Sequence, residues 1–120
     1  MQITQDLIKM KTARLEDFFK GWFVGNFEPS LLKANFEVGV AKHTAGEFHQ
    51  DHFHKEALEI NVVLEGRMTI NGTEFGPGDI FVLHPYEVSQ AEFLTDVTIV
   101  IVRDKSDPKD KYEFNIVDKH

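Results

Sequence analysis

The sequence contains no cysteine, which removes disulfides, thiolate nucleophiles and sulfur-rich metal sites from consideration. Arginine is scarce, with Arg14, Arg67 and Arg103 the three present. The planar forks that grip large anions such as nucleotide-sugars are therefore few. Positive charge is short overall, the net charge being −7, so contacts that displace counterions from nucleic acid are not expected. No apolar run approaches the roughly 18 residues that a membrane span needs. The N-terminal stretch MQITQDLIKM alternates polar and apolar residues and has no signal-peptide core. A cytoplasmic protein without nucleic-acid or membrane partners is the expectation.

What is present points to one small globular unit. The chain has 120 residues, 42% of them hydrophobic and eleven of them Phe, enough for a single core. Residues 1–35 read as a mixed arm. Leu15, Phe18, Phe19 and Trp22 fall at i, i+3, i+4 and i+7, a spacing that predicts a short amphipathic helix with a buried aromatic stripe. From Phe36 the period changes to two. Phe36, Val38 and Val40 alternate with Glu37, Gly39 and Ala41, and Ile60 to Leu64 is a dense β-branched run. Asn71-Gly72 is the favoured two-residue turn for a hairpin between Arg67–Ile70 and Thr73–Phe75. Asp79–Leu83 and Asp96–Val102 complete a series of short strands separated by Gly, Pro and Asn, the signature of an all-β jelly roll or barrel. Residues 104–120 form a charged tail, with Tyr112–Val117 a further edge strand.

The chemistry concentrates in Gly46 to Gly66, GEFHQDHFHKEALEINVVLEG. His52 and His54, at i and i+2 on a strand, share a face. Glu59 lies on the next run, beyond the polar turn Lys55-Glu56-Ala57. Two imidazoles and a carboxylate on one inner wall make a seat for a divalent transition metal. Asn61 and Val63 share the parity of Glu59 and should line the space below it. His49 and Asp51 have the opposite parity to His52 and are expected on the outer face, and His43 and His120 read as surface residues.

The pattern Gly46-x5-His52-x-His54-x4-Glu59-x6-Gly66 resembles the first conserved motif of the cupins at every fixed position. The resemblance implies a cupin-type double-stranded β-helix over residues 36–103, with the arm packed on it, and one divalent ion (iron, manganese, nickel or zinc) at His52, His54 and Glu59. It also implies a homodimer, as small cupins commonly form. The second cupin motif begins at Gly72 and Gly76-Pro77-Gly78-Asp79, but no histidine follows where the fourth ligand belongs. Ser89 holds that place in one register and Gln90 in the other. Gln90 is expected to complete the shell through its amide oxygen. The alternatives are water in an open site, as O2-activating Fe(II) centres have, or an empty site. His84 and Tyr86, at the expected barrel mouth, complete the pocket with Asn61. The functional expectation is a metal-dependent enzyme for a small molecule, of dioxygenase or isomerase type. A non-catalytic cupin binding a sugar or organic acid is the alternative, and a metal-free sugar epimerase-like cupin using His84 and Tyr86 is a further one.

Overall fold

Alternation governs the chain from Glu37 onward, and the computed structural model, which describes residues 9–115, folds it accordingly. Ten strands form in chain order among the described residues. These are β1 (Trp22–Val24), β2 (Glu37–His43), β3 (His52–Phe53), β4 (Glu59–Glu65), β5 (Met68–Ile70), β6 (Thr73–Phe75), β7 (Ile80–Leu83), β8 (Ala91–Phe93), β9 (Val97–Arg103) and β10 (Tyr112–Glu113). Three sheets result, ordered β1-β2-β9-β4-β7, β6-β5-β8 and β10-β3. All the pairings between these strands are antiparallel. The fold is all-β, as expected. Asn71 and Gly72 both take positive φ between β5 and β6, the backbone that a tight primed turn demands.

The core lies between the large sheet and the three-stranded one. Glu59, Asn61 and Val63 of β4 are buried on the same face, while Ile60 and Leu64 are exposed. Val63 packs with Met68, Ile70, Leu83, Phe93, Val97 and Ile99. β9 is the spine, because it pairs with β2 on one side and β4 on the other. The outer face of the large sheet stays apolar too, with Ile60, Leu64, Ile80 and Val82 exposed, Ile80 by 61%.

The arm departs from expectation. Leu15–Asp17 and Phe19–Gly21 are two single 3-10 turns, not a helix. Lys20 and Gly21 both have positive φ, which ends any right-handed helix at once. A Cβ on Gly21 would lie 2.0 Å from the Val40 carbonyl oxygen, so the chain is drawn tight against β2 there. Phe18 and Trp22 are half-buried, but Phe19 is 72% exposed. The helical spacing that placed it in the core is not realised. The arm also supplies β1, so the large sheet begins before residue 36. Tyr112–Glu113 does form an edge strand, on β3. Residues 116 and 117 of that expected strand, and His120, lie outside the described residues.

Gly66, the last fixed residue of the first motif, has φ +86°, and a Cβ there would sit 1.9 Å from the Asp96 carbonyl oxygen. Gly78 has φ +88° with open space around it. Both positions carry a left-handed penalty of about 1–3 kcal/mol for a side chain, but Gly66→Ala adds a backbone clash. Urea unfolding should show Gly66→Ala losing clearly more stability than Gly78→Ala. Equal losses would mean that the Asp96 backbone yields freely.

Candidate metal centre and cavity

Residues directly opposite one another in an antiparallel pair project to the same face, and one row of the large sheet is charged. Arg103 is the partner of Glu37 on β2 and of Glu59 on β4. Its Nε donates to Glu59 Oε2 at 2.7 Å and its Nη1 to Glu37 Oε1 at 2.9 Å. The guanidinium also lies 4.6 Å from the Trp22 ring centre. Glu59 Oε1 accepts a bond from Asn61 Nδ2 at 3.2 Å. Burial alone would raise the Glu59 carboxyl, but the charge and hydrogen bond of Arg103 outweigh it and hold the group below the ordinary carboxylate range.

His54 is buried against this row. Its Nδ1–H donates to the Asp110 carbonyl oxygen, while Nε2 is buried without a hydrogen-bond partner among the described residues and stands 4.0 Å from Glu59 Oε2. His52 Nδ1–H donates to the Gln50 carbonyl oxygen at 3.1 Å. A carbonyl can only accept, so each Nδ1 carries the proton and each Nε2 keeps its lone pair. The two rings lie 5.4 Å apart, nearly perpendicular. Desolvation, reinforced by nearby cations, lowers the pKa of both imidazoles. Neutral, lone-pair-bearing rings are what a metal needs.

The turn between His54 and Glu59 is held by a residue that sequence reasoning did not single out. Asp110 is buried, and its carboxylate accepts the backbone N–H groups of Lys55 at 2.7 Å, Glu56 at 3.1 Å and Ala57 at 3.1 Å. One residue thus shapes the turn and sets the His54 tautomer. Nothing in its charged surroundings, Asp107 to Lys111, marks it out.

The fourth-ligand place resolves by register. Ser89 bridges His52, and its backbone N–H donates to the His52 carbonyl at 2.7 Å. Ser89 therefore shares the His52 face, is buried and lines the cavity. Gln90 does not. It is exposed, on the opposite face, and its Nε2 donates to Asp51 Oδ2 at 3.1 Å, so the expectation that it completes the shell is corrected. His84 and Tyr86 are also outside the cavity. His84 is exposed beside Glu87. Tyr86 is exposed, its ring 6.2 Å from that of Phe53. The turn at Pro85 swings both outward. Asn61 does line the cavity.

A second correction concerns His43 and His49. Neither is a plain outer-face residue: both line the same cavity as His52 and Glu59. Glu47 Oε2 lies 2.9 Å from His43 Nδ1 and 2.7 Å from His49 Nε2. Glu47 Oε1 accepts the Thr44 N–H at 3.0 Å. The His43 ring stacks on Phe93 at 4.2 Å, with His49 edge-on at 5.2 Å. The His43 hydrogen bond, followed by the Thr44 N–H, lowers the Glu47 pKa to about 2. One atom from each of His43, Glu47 and His49 lies within 4.8 Å of the others, so this His/His/Glu cluster could hold a metal ion. Strand parity missed it because residues 44–51 are loop. The spacing His43-x3-Glu47-x-His49 was the available signal.

No protein-family profile matches the chain and no curated protein matches it. Solved structures do. A protein from Klebsiella pneumoniae with a double-stranded β-helix domain superposes with TM-score 0.58 at 21% identity, over 66% of this chain and 70% of that one. A cupin-superfamily sugar phosphate isomerase from Silicibacter pomeroyi gives 0.57 at 18%, over 70% and 59%. The oxalate decarboxylase of Lactobacillus farciminis, in a formate complex, gives 0.56 at 13%, over 67% and 27%. The chain has the cupin fold, a double-stranded β-helix.

The motif residues meet a metal only in part. His52 and His54 present suitable nitrogens, and the buried His54 Nε2 has no hydrogen-bond partner among the described residues. Glu59, however, is already paired with Arg103, a cation it shares with Glu37.

Asp110 offers a test of the turn. Burial would raise its carboxyl, but the three backbone N–H bonds outweigh burial and lower the pKa below the ordinary value. A depressed carboxyl contributes stability that is fully present above the unfolded pKa of about 3.9 and is lost as pH falls through the folded value. Asp110→Asn should cost about 1.5–3 kcal/mol at neutral pH and flatten the decline of the thermal midpoint below about pH 4. A variant with an unchanged midpoint at pH 7 would show that the turn holds without Asp110.

Proposed function

We propose that the chain is a metal-binding cupin that acts on a small polar molecule inside its barrel, as an isomerase or dioxygenase. The cavity carries this reading. It measures about 590 Å³, within the range of sites for small ligands. Apolar side chains including Ile70, Phe81 and Phe93 share its wall with His43, His49 and His52. Two structures of the same fold are described as a sugar phosphate isomerase and an oxalate decarboxylase, which supports a substrate of that size and polarity. A bound divalent ion would supply Lewis-acid polarisation of a substrate oxygen or a seat for O2. The Asn61 amide and the Ser89 hydroxyl offer hydrogen bonds to orient the ligand, and the imidazoles can pass a proton.

Ser89 in place of a fourth imidazole favours a second reading, capture of a ligand without chemistry. Elemental analysis of protein purified without a metal-affinity step, followed by turnover assays, separates the two. Sugar phosphates and short keto- and hydroxy-acids would be followed by proton NMR in D2O and by O2 consumption. The enzyme reading expects about one transition-metal ion per chain and a substrate change that chelation abolishes. Ligand binding without turnover would support the second reading, and protein that takes up no ion would overturn the first.

We propose in addition that the apolar outer face of the large sheet seats a second copy of the chain. Patches of this kind are uncommon on monomers, and a stable contact buries about 800 Å² per partner. Sedimentation should show a dimer that Ile80→Lys with Val82→Lys converts to a folded monomer. A monomeric native protein would refute it.

A further inference from the structure

Two donor sets lie at one cavity, lined by His52 and Glu59 of one and by His43, Glu47 and His49 of the other, and the fold treats their carboxylates differently. Glu59 is committed on both oxygens, to Arg103 and to Asn61. A guanidinium cannot give up its proton in a protein. Arg103 is directly opposite both Glu37 and Glu59 in the sheet, so its position follows from strand register. A divalent ion at His52, His54 and Glu59 would sit beside this fixed cation and share its counter-charge.

Glu47 has no such competitor. Its oxygens face the two imidazoles and the Thr44 N–H and hydroxyl, and among the described residues no lysine or arginine pairs with it. β2 carries Glu37 at its first residue and His43 at its last, about 20 Å apart along a strand. The Arg103 guanidinium bonds Glu37 and Glu59, so it makes no contact at the His43 end. There two nitrogens already lie within 3 Å of one carboxylate oxygen, the spacing of adjacent atoms around a small ion. Phe93 packs against both rings and limits their rotation.

We propose that the cavity's divalent ion is held by His43, Glu47 and His49, while Arg103 stands as the permanent cation at the motif's carboxylate. The proposal rests on the reading that the cavity binds a metal and names its seat. Two imidazoles and one carboxylate suit zinc, nickel or cobalt. The ion replaces the two N–H donors, whose protons pass to the far ring nitrogens. Three protein ligands leave coordination positions open.

Calorimetric titration with Co2+ or Zn2+, together with the Co2+ absorption spectrum, tests it in the full chain. The native protein should bind one ion. His49→Gln and Glu47→Gln should each weaken binding by more than the roughly 10–100-fold that loss of an outer-shell partner costs, and should change the Co2+ spectrum. His52→Gln should leave affinity within about threefold, far less than even an outer-shell partner costs, and the spectrum unchanged. Circular dichroism confirms folding, and Glu47→Gln, which keeps size and shape, guards against a packing defect at His49. If His52→Gln abolishes binding while Glu47→Gln does not, the seat is the motif and this proposal falls, with the metal reading intact. If the native protein binds no ion, both fall.

Discussion

The row Glu37–Arg103–Glu59 is the constraint on which the barrel's interior depends. It joins three strands through one guanidinium. Both carboxylates are buried, and removing the cation would leave two uncompensated charges at a cost of about 3–5 kcal/mol. The register of β2, β9 and β4 therefore cannot slip by one residue without losing this arrangement, because a single-residue slip turns every side chain to the other face. Trp22 of β1 closes over the guanidinium, which couples the arm to the same row.

Register also decides what the cavity contains. With Glu59 inward, Asn61 and Val63 must be inward, and with His52 inward, Ser89 must be. Gln90 and Asp51 fall together on the opposite face and bond each other. The interior thus changes along the large sheet from charged at one end, through Ile101, Asn61 and Phe81, to Val63 and Ile99, and then to His43 at the other end. A small ligand entering this space meets apolar walls between two polar ends, and the polar ends differ in charge: one carries a fixed cation, the other a carboxylate hydrogen-bonded between imidazoles.

Much of this was legible in the chain. The alternation of β4, the Asn71-Gly72 hairpin and the spacing from Gly46 to Gly66 led to the fold and to the burial of Glu59 and Asn61. Local periodicity failed where a neighbour overrode it. The spacing of Leu15, Phe18, Phe19 and Trp22 is helical, yet Lys20 and Gly21 take left-handed backbone so that the arm can lie on β2. Strand parity likewise misplaced His49 on the outer face and said nothing of Glu47, since the loop carrying them folds back over Phe93.

The sequence by itself determined which segments alternate, where the turns fall and which face of β4 turns inward, because period and turn chemistry are local properties. Only the tertiary structure decided that Arg103, 44 positions beyond Glu59, would be its partner, and that Asp110, 56 positions beyond His54, would set its tautomer. Tertiary structure also decided that His43, Glu47 and His49 would meet. Those pairings follow from the order in which distant strands join a sheet and from a loop's return path. Neither leaves a trace in the spacing of nearby residues.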